Sequence, residues 1–246
     1  MEMIEEFIKA HGLGNDFIIF DKRDGSSIEH LIDNASFLCD RYFGIGADQL
    51  IIIQPSAIAD VRMLVLNPDG SFGGACGNAT RCLVEIIGKN SITIEVGART
   101  LTCNTVADLI YVNMGAVSYE GVSIIDGVEF YLANIGNPHA ITFMDCDRST
   151  YGPKLQEVFS NGINVNFATI KNNTISLEVF ERGVNDFTLA CASGASATFG
   201  VAVYLGLIDN EAIISLPGGN LKMLYDNGSI IQAGPAKLVY SGKIIL

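Results

Sequence analysis

At 246 residues, with 49% hydrophobic and 17% charged residues, the chain has material for one large domain or two of about 120 residues. Its formal net charge of -12, with 15 scattered Lys and Arg residues, excludes nucleic acid as a partner, because phosphate binding needs a basic field. The apolar runs fall far short of the ~18 residues of a membrane helix. Glu2, Glu5 and Glu6 stand where a secretory signal would be basic, so the expectation is a cytoplasmic protein with no membrane partner.

In chain order, strands are expected at Phe17 to Phe20, Gln49 to Ile53, Arg62 to Leu66, Ser91 to Val96 and Leu109 to Asn113. Further strands are expected at Ile141 to Phe143, Val165 to Ile170, Ser176 to Phe180 and Ile230 to Ala233. These runs are short, rich in Ile and Val, and bounded by Gly, Asn or Asp. Helices are expected at Ala35 to Tyr42, Gly77 to Ile87, Tyr151 to Phe159 and Ala192 to Leu205. The last has no polar face, the mark of a buried helix.

The halves share a pattern. Gly14 to Phe20 (GNDFIIF) resembles Gly136 to Phe143 (GNPHAITF) at an offset of 122, and Phe43 to Asp48 resembles Asn161 to Asn166 at 118. Cys76 in ACGNA and Cys191 in ACASG follow at 115. Three matches in one order indicate a duplicated domain rather than a solenoid. The expected fold is α/β of the α+β type. It has two pseudo-symmetric repeats, each a curved, mostly antiparallel sheet wrapped around a central helix, with the active site in the cleft between them. The boundary falls near Asn113 to Ala116, giving domains 1–113 and 114–235.

Each of these two cysteines lies at or just ahead of an expected helix start. There unpaired N–H groups and the helix dipole favour negative charge, lower a thiol's pKa and receive an anion. Two thiols sharing one substrate could remove a proton from one face of a carbon and return it from the other. That is the logic of a racemase or epimerase. Cys39, Cys82, Cys103 and Cys146 fit small buried side chains. With five residues between Cys76 and Cys82 and only His11, His30 and His139 as histidines, no paired zinc spacing emerges. No metal and no cofactor is expected, since neither a phosphate-binding loop nor a dinucleotide fingerprint is evident. His11, before Gly12 in a loop, receives no catalytic role.

The segments HGLGNDF, GIGADQ, NPDGS followed by ACGNATRC, GNPHA, NVNF and ERG followed by AC resemble those of the diaminopimelate epimerase family. The resemblance runs from Lys9 to the C-terminal GPAKLVYSGKIIL. It implies a cofactor-independent epimerase interconverting LL- and meso-diaminopimelate in lysine and cell-wall synthesis. Cys76 and Cys191 would be its acid/base pair, with His139 and Glu181 supporting catalysis. Substrate contacts would come from Asn15, Gln49, Asn67, Gly77, Asn78, Asn137, Asn164, Glu181, Arg182, Ala192 and Ser193. The family fold also implies that the last strand, 236–246, returns to the first domain. The substrate is then a small amino acid, and the sequence leaves room for a homodimer.

Residue chemistry agrees with those roles. Arg182 suits a second carboxylate, Glu181 an ammonium group, and the asparagines a zwitterion-binding wall. The chain departs from the family pattern in having Ala192 after the second cysteine and one extra residue between Arg182 and Cys191. Three alternatives stay open: a two-base isomerase of another amino acid, a non-catalytic metabolite-binding relative, and a hydrolase using Cys191 as nucleophile. The last lacks a recognisable His–acid pair.

Overall fold

The structure is a computed structural model describing residues 3–246. Met1 and Glu2, which open the expected first domain and its acidic start, lie outside the described residues. The chain divides into two compact units: one runs to Val112 and includes Pro235–Leu246, and the other is Asn113–Gly234.

The first unit begins with β1 (Ile4–Gly12) and β2 (Asn15–Asp21), then α1 (Glu29–Asp33), α2 (Ala35–Cys39), β3 (Gln49–Gln54) and β4 (Val61–Leu66). It continues with α3 (Gly77–Ile87), β5 (Ser91–Val96), β6 (Arg99–Val106) and β7 (Leu109–Gly115). Positive φ at Leu13 (56°) and Gly14 (90°) makes the two-residue β1–β2 turn, whose twist suits a tight hairpin. Leu50 to Ile53 of β3 are all fully buried, as in a strand covered on both faces. Phe17, Ile18 and Phe20 of β2 are also fully buried, each contributing about 1.5–3 kcal/mol of apolar burial. Helix α3 packs on β1 and β2. Its residues from Gly77 to Val84 are buried, and it ends at Gly88 in the left-handed conformation, whose N–H bonds the Val84 carbonyl.

The second unit carries β8 (Ser118–Ile125), β9 (Val128–Asn134), β10 (Pro138–Thr142), α4 (Arg148–Val158), β11 (Asn164–Lys171) and β12 (Thr174–Glu181). There follow β13 (Asp186–Thr188), α5 (Ala192–Tyr204), β14 (Glu211–Leu216), β15 (Gly219–Asp226) and β16 (Ser229–Gly234). Helix α5 packs against β9, β10, β11, β12, β14, β15 and β16. Its small residues Ala192, Gly194, Ala195 and Ala197 are buried, letting the sheet close around it. The final strand, β17 (Lys237–Ile245), pairs antiparallel with β1 in the first unit.

The pairing order is the same in both units. The first unit reads β17-β1-β2-β3-β4-β5-β6-β7, with the β2–β3 and β4–β5 neighbours parallel and the others antiparallel. The second reads β8-β9-β10-β11-β12-β14-β15-β16, with β10–β11 and β12–β14 parallel and the others antiparallel. Strand β8 precedes β9 directly, whereas the matching place beside β1 is taken by the C-terminal β17.

Several expected elements shift. The helix expected to Tyr42 stops at Cys39, because Asp40 turns extended (ψ 126°) and its Oδ1 accepts from the N–H of Tyr42 and of Phe43 at 2.7 and 2.8 Å. Helix α4 starts earlier than Tyr151, capped by Asp147, which accepts from the Ser149 N–H at 3.1 Å. The strand expected at Ile141 to Phe143 occupies Pro138–Thr142. The 118-residue offset is also corrected. Phe17 pairs with Gln49 and His139 with Asn164, so the parallel register matches Gln49 to Asn164 and makes Asp48 the counterpart of Ile163 rather than Asn166. No described helix is long and apolar enough to cross a membrane.

Candidate active site

In the first unit, Asn15 opens β2, Gln49 opens β3, Asn67 follows β4 and Cys76 stands at the N-terminal cap position of α3 without a side-chain capping bond. Strands β2 and β3 are parallel and β4 runs back along β3, so three of these residues lie at one end of the sheet. A bond from Cys76 to Asn15 brings the start of α3 to that end. Cys76 Sγ donates to Asn15 Oδ1 at 3.6 Å, and Asn78 Nδ2 donates to the same oxygen at 3.1 Å. Gln49 Nε2 donates to Asn67 Oδ1 at 2.9 Å, and Asn67 Nδ2 to Ser71 Oγ at 3.0 Å. Gly77 and Asn78, the first residues of α3, are buried.

The second unit repeats the arrangement. Asn137 precedes β10, Asn164 opens β11, Glu181 ends β12 and Cys191 caps α5. The cap residues have nearly the same backbone: φ -113°, ψ 110° at Cys76 and φ -115°, ψ 106° at Cys191. Cys191 Sγ accepts from the Gly194 N–H at 3.3 Å and lies 3.5 Å from Ser193 Oγ. Asn137 Nδ2 donates to Ser193 Oγ at 3.2 Å. That leaves the serine hydroxyl proton available to the sulfur. Ala192 is the first residue of α5 and is buried; in a helical backbone its methyl adds no strain.

His139 is fully buried, and burial pulls its imidazole down to about 4, against the opposing bond with Asn166. It is therefore neutral near pH 7. Its Nε2 donates to Asn137 Oδ1 at 3.1 Å, while Nδ1 faces Asn166 Nδ2 at 3.3 Å. Histidine thus orients Asn137. Asn164 Nδ2 donates to the Pro138 carbonyl at 3.1 Å, and its Oδ1 accepts from the Arg182 N–H at 3.0 Å. Glu181 accepts from Thr188 Oγ1. The Arg182 side chain is exposed and packs over Gly162 (φ 69°), where a Cβ would come within 2.7 Å of Arg182 Cγ, and Nη1 reaches the Asn161 carbonyl at 3.4 Å. The segment with the extra residue forms the β12–β13 hairpin, Glu181 pairing with Asp186, with Asn185 at φ 56°.

Sequence reasoning passed over three residues behind this shell. Asn166 is buried and donates to the Gly194 carbonyl at 3.1 Å and to Thr198 Oγ1 at 3.0 Å, tying β11 to α5. Arg81 is fully buried. Burial pulls its guanidinium down only to about 10, so it stays charged, and it donates to Pro235 and Gly77 carbonyls and to Asn78 Oδ1. Asp48 bonds Asn15. Their one sequence signal is a charged or amide residue inside a quoted motif. Burial raises Cys39 to about 11 and Cys82 and Cys103 to about 12, as expected of inert thiols. His11 Nδ1 accepts the Gly14 N–H at 3.2 Å and serves the hairpin turn.

Comparison with known proteins adds to this geometry. The family model described as diaminopimelate epimerase matches residues 7–120 and 131–239. A diaminopimelate epimerase of Rickettsia massiliae (strain Mtu5) is 42% identical over 261 aligned positions, covering 96% of each chain. Among solved structures, a Bacillus anthracis phenazine biosynthesis protein of the PhzF family superposes with a TM-score of 0.76 at 15% identity, covering 99% of this chain and 100% of that one. A hydroxyproline epimerase from Agrobacterium vitis with bound trans-4-OH-L-proline gives 0.72 at 12% identity, covering 99% and 91%. These two show a shared fold.

Proposed function

The chain belongs to the diaminopimelate epimerase family, and from that premise we propose that it interconverts LL- and meso-diaminopimelate without a cofactor, using Cys76 and Cys191 as the acid/base pair. The observation that carries this reading is the matched position of the two cysteines, each the residue before the first turn of α3 or α5 with nearly the same backbone angles, in units with one strand order. In this reading the two repeats are residues 1–113 with 236–246 and residues 114–235.

The chemistry follows from the helix starts. A substrate carboxylate binds where backbone N–H groups are unpaired and the dipole is positive. The same donors stabilise the charge that spreads onto that carboxylate as the α-proton leaves. One cysteine takes the proton as thiolate and the other, as thiol, supplies it to the opposite face. Gly77, Asn78, Ala192 and Ser193 contact the reacting end. Asn15, Gln49, Asn67, Asn137 and Asn164, with Glu181 and Arg182, hold the zwitterionic groups. His139 supports catalysis by fixing Asn137 rather than by moving a proton. The setting is the cytoplasm, in lysine and peptidoglycan-precursor synthesis.

Incubating LL-diaminopimelate with the protein in deuterated water tests the reading. Deuterium at the α-carbon with formation of the meso isomer is expected. Binding without exchange would identify a non-catalytic relative, and exchange of another amino acid in preference would reassign the substrate.

A further inference from the structure

A polar relay ends on the side of Cys76, and its polarity is fixed from both ends. A carboxylate only accepts hydrogen bonds and a guanidinium only donates them. Asp48 Oδ2 lies 2.9 Å from one end of the Asn15 amide and 3.1 Å from the Asp16 N–H, so the Asn15 atom facing it is the nitrogen. Arg81 Nη2 lies 2.5 Å from the Asn78 amide, so the Asn78 atom facing it is the oxygen. The Asn78 nitrogen then donates to the Asn15 oxygen at 3.1 Å, and that oxygen stands 3.6 Å from Cys76 Sγ. In the second unit the equivalent Asn137 presents its nitrogen to Ser193 instead, its oxygen being held by His139. Ile163, the counterpart of Asp48, has no acceptor to offer.

Asp48 is itself held. Arg41 Nη2 bonds its Oδ1 at 2.7 Å and Asp16 Oδ1 at 2.8 Å, and Lys9 Nζ meets Asp16 Oδ2 at 2.6 Å. Burial alone would raise the Asp16 carboxyl, but Arg41 and Lys9 hold it down to about 2. We propose that Asp48 is a positioning residue that turns the oxygen of the Asn15 amide toward Cys76 and thereby favours the protonated thiol at that position. A thiol donates to this oxygen and a thiolate is repelled by it. The relay rests on the reading of Cys76 as an acid/base group, and it supplies the acid form there. The charged and titratable groups near Cys76 include Arg81 and Cys82 on its own helix, with Asp48 reached through Asn15.

The rate of alkylation of Cys76 by iodoacetamide, followed by peptide mass spectrometry across pH, tests this whether or not the protein turns over diaminopimelate. In Asp48→Ala the Asn15 amide keeps only the Asn78 donor to orient it, and Cys76 should alkylate about threefold faster at pH 7 through a downward shift of its midpoint, the effect of losing one ordinary hydrogen bond. Cys191 should keep its wild-type profile. Asp48→Asn, which keeps an oxygen to accept from Asn15 but loses the charge, should restore the wild-type midpoint. Asn15→Ala should reproduce the shift, and adding Asp48→Ala to it should shift nothing further. An unmoved Cys76 midpoint in Asp48→Ala or, should that variant unfold, in Asn15→Ala would overturn the proposal. So would an equal shift at Cys191, an Asp48→Asn variant that behaves as the alanine does, or additive shifts in the double variant.

Discussion

Gly194 stands against Cys191: its N–H donates to the sulfur at 3.3 Å, and a Cβ at this glycine would lie 3.2 Å from Sγ and 3.0 Å from Val179 Cγ2. The contact needs both a helical N–H and the absence of a side chain. Gly194→Ala should therefore push the thiol off its donor while the helix still forms, since alanine is the better helix former. Turnover should fall roughly tenfold or more, because small displacements of a reacting group are costly. Near-wild-type kcat, with circular dichroism unchanged, would show that the sulfur position tolerates the methyl.

Cys76→Ala and Cys191→Ala should each abolish epimerisation, because each face of the α-carbon needs its own acid/base group. Serine at either position should retain little activity, an alcohol being a far weaker acid than a thiol. Wild-type turnover by Cys76→Ala in both directions would sink the two-base assignment.

His139 predicts a pH dependence of stability. Burial holds its folded pKa to about 4, below the ordinary imidazole value of 6.5, so below pH 6.5 the unfolded chain binds a proton that the folded one refuses. Stability should be full above about pH 6.5 and decline as pH falls toward 4, by on the order of 3 kcal/mol. His139→Gln should lose this component. Urea midpoints of the two proteins at pH 7 and pH 4.5 measure it, and parallel declines would assign the loss to other groups.

Arg182 carries a prediction about substrate choice. Its side chain is exposed and rests on Gly162. The penalty for leaving it unpaired is accordingly small, and discrimination has to come from the bond it makes. Arg182→Lys should reduce kcat/KM for diaminopimelate roughly tenfold, the worth of a charge-assisted, bidentate contact. Lysine, lacking the distal carboxylate, should be a poor substrate for the wild type. Equal use of lysine, or an unaffected Arg182→Lys, would remove this residue from the site.

Sequence alone located the helices that matter. α3 spans Gly77–Ile87 and α5 Ala192–Tyr204, because a run of small apolar residues after a capping position is a local signal. It also placed the cysteines at the helix starts and marked Asn15 and Asn137 as equivalent, since a turn motif is written in consecutive residues. The return of β17 to β1, from Lys237 back to His11, could be had only from the family resemblance, because strand pairing between distant segments leaves no periodicity behind. The 118-residue offset failed for a related reason. Strand register, not loop similarity, decides which residues correspond, and the Phe17–Gln49 and His139–Asn164 pairs are set by packing on both faces of a parallel strand. Asp48, Arg81 and Asn166 read as ordinary polar letters in the chain. Their roles exist only once β2, β3 and α3, or β11 and α5, are brought together, since a buried polar side chain takes its meaning from the partner that satisfies it.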